Sequence, residues 1–341
     1  MRGQARFSLA PEAVRYLEKA YECYVGYNGL ACLNACRHCW AGEMVQQPYV
    51  PVEDLEPAMR VCREWLDAAG LGRMGLLFAV LKNGGLYRDW PQYHRLLMKY
   101  CDLPSGYARV VTLPGLPRLA GRELRAFCEQ AKSTGIEWVS ATLHGAHDVH
   151  DAFVGRPGDY AYYADALRIA REAGLQTNVL YYISRRNIAC IPTVREDFRD
   201  RVTRTRGLPL IAFRVMQPFG LARQELASFL RKEDIEEIPA AVFYNWLLDL
   251  DTEANFVARV LEGEEILPVN DIALFPDHDF MLRPTPEKFG ALVEGFLQEK
   301  FSRPPLPELA ARYGDPTSSL VLNPRGFLHL LEMRRSAGRS A

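Results

Sequence analysis

The stretch Ala31-Cys32-Leu33-Asn34-Ala35-Cys36-Arg37-His38-Cys39-Trp40 holds three cysteines within eight residues, spaced C-x3-C-x2-C. Three thiolates leave a four-ligand centre one donor short. A closed structural zinc site takes four ligands, and a four-iron cluster takes one for each iron. A cluster held by Cys32, Cys36 and Cys39 therefore keeps one iron open for a substrate or cofactor. The competing arrangement is a zinc knuckle completed by His38 or by a distant ligand. His38 adjoins Cys39 directly, and no second C-x2-C pair follows. Packing the trio as plain apolar side chains is harder still, because so many thiols in one short loop are difficult to bury together.

Outward from this loop, strand and helix patterns alternate. A helix over Pro11 to Ala20 precedes a strand over Glu22 to Gly26, which leads into the cysteines. Leu55, Met59, Cys62, Leu66 and Ala69 fall on one face of a helix over Val52 to Ala69, with Pro57 tolerable in its first turn. The run Met74 to Val80 is continuously apolar, as a buried parallel strand is. Helices are predicted over Trp90 to Tyr100, Gly121 to Ser133 and Tyr160 to Ala173, the last stopped by Gly174. Strands are predicted over Ala108 to Thr112, Ile136 to Leu143, Leu175 to Ile183 and Leu210 to Met216. Six βα units in series imply a parallel sheet with right-handed crossovers.

The alternation fades after Leu221. A helix over Ile235 to Leu250 carries Phe243, Tyr244 and Trp246, an irregular proline-rich segment spans Asn270 to Pro286, and a further helix spans Pro286 to Phe301. Arg334 to Ala341 is expected to be disordered. Residues 1–220 read as one unit with its N-terminal helix, and residues 221–341 as an extension that closes its open side and shapes a substrate pocket.

The 341 residues are 48% apolar, enough for a substantial core, and the net charge of −1 offers no broad electrostatic footprint for nucleic acid. No secretory signal opens the chain and no apolar run is long enough to span a bilayer, so no membrane partner is expected. Cys23, Cys62, Cys101, Cys128 and Cys190 are scattered through apolar segments, unlike a secreted disulfide framework. They read as small core residues of a cytoplasmic, reducing-compartment protein.

The cysteine loop, its spacing and the residue before its last cysteine resemble the signature of the radical S-adenosylmethionine (radical SAM) superfamily. The resemblance implies a partial (β/α)6 TIM-like barrel in the α/β class, with its chemistry at the C-terminal ends of the strands. It implies a [4Fe–4S] cluster on Cys32, Cys36 and Cys39, and S-adenosylmethionine on the open iron, cleaved to methionine and a 5'-deoxyadenosyl radical. Asn83-Gly84-Gly85-Leu86 is similar to the turn that holds the SAM amino group; Gly84 and Gly85 fit, whereas Leu86 replaces the usual Glu. Ala141-Thr142-Leu143-His144-Gly145, His150-Asp151 and Gly155-Arg156-Pro157-Gly158 resemble a further family pattern. Thr142 stands where a serine contacts SAM, and Arg156 is a candidate fork for the SAM carboxylate, with a surface ion pair as its alternative. His144 is a candidate proton carrier or a structural histidine. Asn178 is a candidate cofactor contact. Gln217, within Gln217-Pro218-Phe219-Gly220, is a candidate ribose or substrate contact, with Arg214 and Tyr182 beside it.

No cysteine follows Cys190, which disfavours an auxiliary cluster domain, and no cobalamin-binding domain fits before Cys32. Without a second cluster a redox-neutral reaction is favoured, with an external one-electron reductant such as flavodoxin or ferredoxin. These features resemble the sugar-modifying radical SAM enzymes of nucleoside and aminoglycoside antibiotic pathways. That resemblance implies a sugar-nucleoside substrate and, most specifically, a lyase-type decarboxylation of cytosylglucuronic acid. The alternatives are a sugar dehydratase, a radical SAM peptide maturase, and a zinc-stabilised scaffold with no enzymatic activity.

Overall fold

The structure, a computed structural model, describes residues 11–20, 22–28, 32–37, 39, 48–81, 89–101, 109–205, 208–238, 250–266 and 271–338. The first half runs α1 (Pro11–Lys19), β1 (Glu22–Asn28), α2 (Val52–Ala68), β2 (Gly75–Leu81), α3 (Trp90–Tyr100), β3 (Val110–Thr112), α4 (Gly121–Ser133) and β4 (Trp138–Leu143). It continues through α5 (His147–Val154), α6 (Asp159–Glu172), β5 (Gln176–Ile183) and α7 (Ile191–Phe198). The short strands β6 (Arg204–Thr205) and β7 (Leu208–Pro209) pair antiparallel before β8 (Ile211–Val215). The remainder is β9 (Asp251–Thr252), α8 (Glu253–Leu261), β10 (Asp271–Leu274), α9 (His278–Leu282), α10 (Pro286–Ser302), α11 (Leu306–Tyr313), β11 (Val321–Leu322) and α12 (Pro324–Ala337).

Two parallel sheets, ordered β10-β1-β2 and β3-β4-β5-β8, form the partial TIM-like barrel of the α/β class. Alternate strand residues face opposite ways. On β4 and β5 one set, Val139, Ala141, Leu143, Val179, Tyr181 and Ile183, is buried. α6 packs against both strands on that side. The other set faces the barrel interior in three rows fixed by the strand register. Thr112, Ser140 and Asn178 align in the lowest row; Thr142, Leu180 and Ala212 align above them. Tyr182 pairs with Arg214 in the top row, at the C-terminal ends of the strands. The apolar sets of the strands pack under their helices into one large core that includes Leu55, Met59, Cys62, Leu66, Phe78 and Cys128.

Two expectations for the C-terminal part are corrected. Asn270 to Pro286 is not irregular throughout: Asp271–Leu274 forms β10 and His278–Leu282 forms α9. The short strand becomes visible only through its partner, since its four residues pair in parallel with β1. Arg334 is not in a disordered tail, because α12 continues to Ala337 and Arg334 forms an ion pair with the fully buried Glu253 of α8. Lys232–Glu237 forms a 3-10 turn where the helix expected over Ile235 to Leu250 would begin; the rest of that helix, residues 239–249 with Phe243, Tyr244 and Trp246, lies outside the described residues. α8, α11 and α12 enclose a small second core in which Phe256 and Phe327 stack at 5.3 Å.

Candidate active site

The cysteine loop leaves β1 at the C-terminal edge of the sheet, the end at which Tyr182 and Arg214 lie. Its path is set by backbone hydrogen bonds from several elements. The last carbonyls of a helix have no partner within it, and in α5 the loop supplies them. Ala35 N–H donates to Val154 O (2.8 Å) and Arg37 N–H donates to Phe153 O (3.3 Å). Leu33 N–H donates to Gly115 O (3.1 Å) in the turn after β3, and Leu221 N–H donates to Cys39 O (3.1 Å) from beyond β8.

Two glycines make this approach feasible. Gly155 ends α5 at φ +66°, and a Cβ there would lie 3.0 Å from Cys32's loop neighbour Ala35 Cβ. Gly115 has φ +79°, and a Cβ there would lie only 2.4 Å from Cys32 Sγ. The missing side chain leaves the space that the sulfur fills. The Cys36 thiol is pushed up to about 12 by burial, then by the neighbouring Cys32 and Cys39 sulfurs. Three thiols crowded into one loop are a donor set that a cationic centre stabilises, because a bound metal deprotonates its thiols outright. Among the described residues no group of histidine, cysteine and carboxylate side chains is already gathered as for a single metal ion. The donor chemistry and the cradle at Gly115 fit a cluster on Cys32, Cys36 and Cys39.

Residues 29–198 match the family model described as the radical SAM superfamily. The chain belongs to the radical SAM superfamily. The cofactors of that superfamily are a [4Fe–4S] cluster and S-adenosylmethionine. No curated protein sequence matches the chain significantly. Among solved structures, it is similar to HydG, a maturase of the [FeFe]-hydrogenase, at 14% identity and TM-score 0.42, over 77% of this chain and 59% of that one. It is similar to the coproporphyrinogen III oxidase HemN of Escherichia coli at 16% identity and TM-score 0.41, over 67% and 54%. It is also similar to anSMEcpe bound to AdoMet and a peptide, at 14% identity and TM-score 0.47, over 94% and 100%. The radical SAM chain thus spans little more than half of the first two of these proteins.

The barrel brings some of the sequence-predicted residues together and separates others. Thr142 and Arg214 share the inner face near the C-terminal ends. His144 follows β4 on the same side, with its ring stacked on Tyr182 (5.6 Å between centroids) and Phe153 (4.8 Å). It is 3% exposed. Asn178 lies on this face but lower. Four residues before Tyr182, it sits about 13 Å down the strand, and its Oδ1 is buried with no hydrogen-bond partner among the described residues. Gln217 turns toward the C-terminal segment: its Oε1 accepts from Asn323 N–H (2.9 Å) at the start of α12. Gly84, Gly85, Leu86 and His38 lie outside the described residues.

Arg156 is 14% exposed and engaged with the protein itself. Its Nη1 donates to Leu116 O (2.8 Å) and to Asn34 Oδ1 (3.3 Å), and lies 3.5 Å from Asp159 Oδ1. Asp159 also pairs with Arg118 (3.2 Å) and stands 3.6 Å from His150 Nε2. Burial pushes the Asp159 carboxyl up, but His150, Tyr163 and the Arg156 charge outweigh it and hold the group below the usual carboxylate range. His150 Nδ1 accepts the His144 backbone N–H (3.1 Å), which assigns the ring proton to Nε2, toward Asp159. Asp151, the other half of the His-Asp pair, accepts from Tyr160 N–H (2.9 Å) in the first turn of α6. Asn34, Gly115, Leu116 and Asp159 are missing from the sequence-based set. Only the position of Asn34 between two cysteines offered any signal for them.

Proposed function

We propose that this radical SAM enzyme abstracts hydrogen from a small polar sugar nucleoside, with redox-neutral decarboxylation of cytosylglucuronic acid as the specific reaction. The observation that supports this reading is the set of polar side chains Thr142, Tyr182 and Arg214, in adjacent rows of the inner face toward the C-terminal mouth. A guanidinium there suits a substrate carboxylate in a bidentate fork. The cofactor pair, when bound, supplies the hydrogen-abstracting radical. The protein's part is to orient the sugar by polar contacts and to keep water from the reacting carbon. Tyr182 and the His144 ring form one side of that enclosure, and the C-terminal segment is assigned the opposite side. Thr142 and Asn178 are assigned to cofactor contacts along the same face, and Gln217 to the boundary with the C-terminal segment. An external reductant such as flavodoxin or ferredoxin supplies the electron.

The test is anaerobic incubation of the full chain with S-adenosylmethionine, a reductant and cytosylglucuronic acid, followed by mass spectrometry. Loss of CO2 from the nucleoside together with 5'-deoxyadenosine is the expected result. Formation of 5'-deoxyadenosine with the nucleoside intact would remove the substrate assignment. Cys36→Ala is expected to abolish 5'-deoxyadenosine formation while the chain stays folded, and undiminished formation would remove the ligand assignment.

A further inference from the structure

The geometry points to Arg156 as a positioning residue that, locked by buried Asp159, ties the cysteine loop at Asn34 to the turn after β3 at Leu116. This assignment rests on the cysteine loop being the cluster site and replaces the reading of Arg156 as a fork for the cofactor carboxylate. A guanidinium has five donors in a fixed plane. Here Nη1 alone addresses Leu116 O, Asn34 Oδ1 and Asp159 Oδ1.

Asp159 is 0% exposed, so its charge is tolerated only with partners. Arg156, Arg118 and the Nε2 side of His150 surround it. As the first residue of α6 it also meets the positive end of that helix. The carboxylate is thus fixed from several directions, and it fixes Arg156 in turn. Arg118 adds a second strut, since its Nη2 donates to Arg156 O (3.2 Å). The consequence falls on the sulfurs. Asn34 lies between Cys32 and Cys36, and Leu116 adjoins Gly115, whose missing Cβ accommodates Cys32 Sγ. One side chain therefore spans the cysteine loop and the turn against which the first sulfur rests.

The experiment compares the full-length wild type with Arg156→Gln, Arg156→Lys and Asn34→Ala. In metal-free protein, alkylation of each cysteine by iodoacetamide is followed by peptide mass spectrometry. Cys23 and Cys62, both 0% exposed in the core, are internal references for general loosening. The expected result is alkylation of Cys32 and Cys36 about tenfold faster in Arg156→Gln and in Asn34→Ala, with Cys23 and Cys62 unchanged. Arg156→Lys, which keeps the charge and one donor, is expected to restore part of the protection. After anaerobic reconstitution, the same variants should lose iron and sulfide to a chelator faster than wild type and show a broadened electron paramagnetic resonance signal of the reduced cluster.

Equal acceleration at Cys23 and Cys62 would overturn the inference, because Arg156 would then support only the fold at large. Unchanged cysteine protection with S-adenosylmethionine affinity lowered about tenfold, as loss of a charged hydrogen bond would produce, would also overturn it and return Arg156 to the carboxylate. Failure of the wild type to hold iron and sulfide would sink the cluster assignment instead. The metal-free alkylation would still decide the role of Arg156.

Discussion

Replacing Gly115 with alanine tests the sulfur cradle directly. Gly115 has φ +79°, where an L side chain costs about 1–2 kcal/mol. The new Cβ would also meet Cys32 Sγ at 2.4 Å. Carbon–sulfur contact requires a separation more than about 1 Å larger, so either the backbone yields or Cys32 turns to another rotamer. Contacts to Cys32 Cβ and Cα, at 3.4 and 3.5 Å, are close to ordinary and leave rotation as the cheaper response. A sulfur displaced by that amount cannot keep a metal bond of only about 2.3 Å. Gly70 provides the control, with φ +76° and nothing within 4 Å of its added Cβ. Gly70→Ala should lower stability through the backbone by about 1 kcal/mol and bind iron normally. Gly115→Ala should lose a similar or larger amount, up to about 3 kcal/mol more if Cys32 cannot turn, and retain less iron and sulfide. Urea denaturation of metal-free protein and iron–sulfide analysis after anaerobic reconstitution measure the two parts. Wild-type cluster content in Gly115→Ala, with stability equal to Gly70→Ala, would refute the cradle.

Glu253→Ala should destabilise by about 2–4 kcal/mol, since it strands Arg334 and the Asp315 N–H that donates to Glu253 (2.9 Å); denaturant midpoints check this, and a change within error would sink it. Gln217→Ala should cost about 1–3 kcal/mol by leaving the Asn323 N–H without its acceptor. A purely substrate-binding Gln217 would leave thermal stability untouched. The Asp159 carboxyl is held below its unfolded range by its partners, against burial. Its contribution is therefore complete above an unfolded pKa of about 3.9 and is lost as pH falls through the lower folded value. Asp159→Asn should start less stable at neutral pH and lose less in acid, whereas parallel acid limbs in urea titrations would contradict this.

Much of the architecture was legible from periodicity. The predicted strand over Leu175 to Ile183 and helix over Gly121 to Ser133 correspond closely to β5 and α4, because apolar residues recur there at the spacing their buried faces demand. α5 escaped notice because His147 to Val154 is short and its residues read as a motif. The strand β10 escaped because four residues flanked by proline-rich sequence carry almost no pattern; its pairing with β1, far away in the chain, makes it a strand.

Within the site the sequence by itself determined the donor chemistry on offer: the number, type and spacing of the three thiols are properties of one loop, and they carried the family with them. Tertiary structure decided which partners the remaining side chains meet. Arg156 and Gln217 both carried a plausible ligand-binding role as isolated letters. Their hydrogen-bonding groups meet Asn34, Leu116 and Asp159 in one case and Asn323 in the other. A side chain's chemistry is local, but its partners are set by which distant segments the packed barrel brings within about 3 Å.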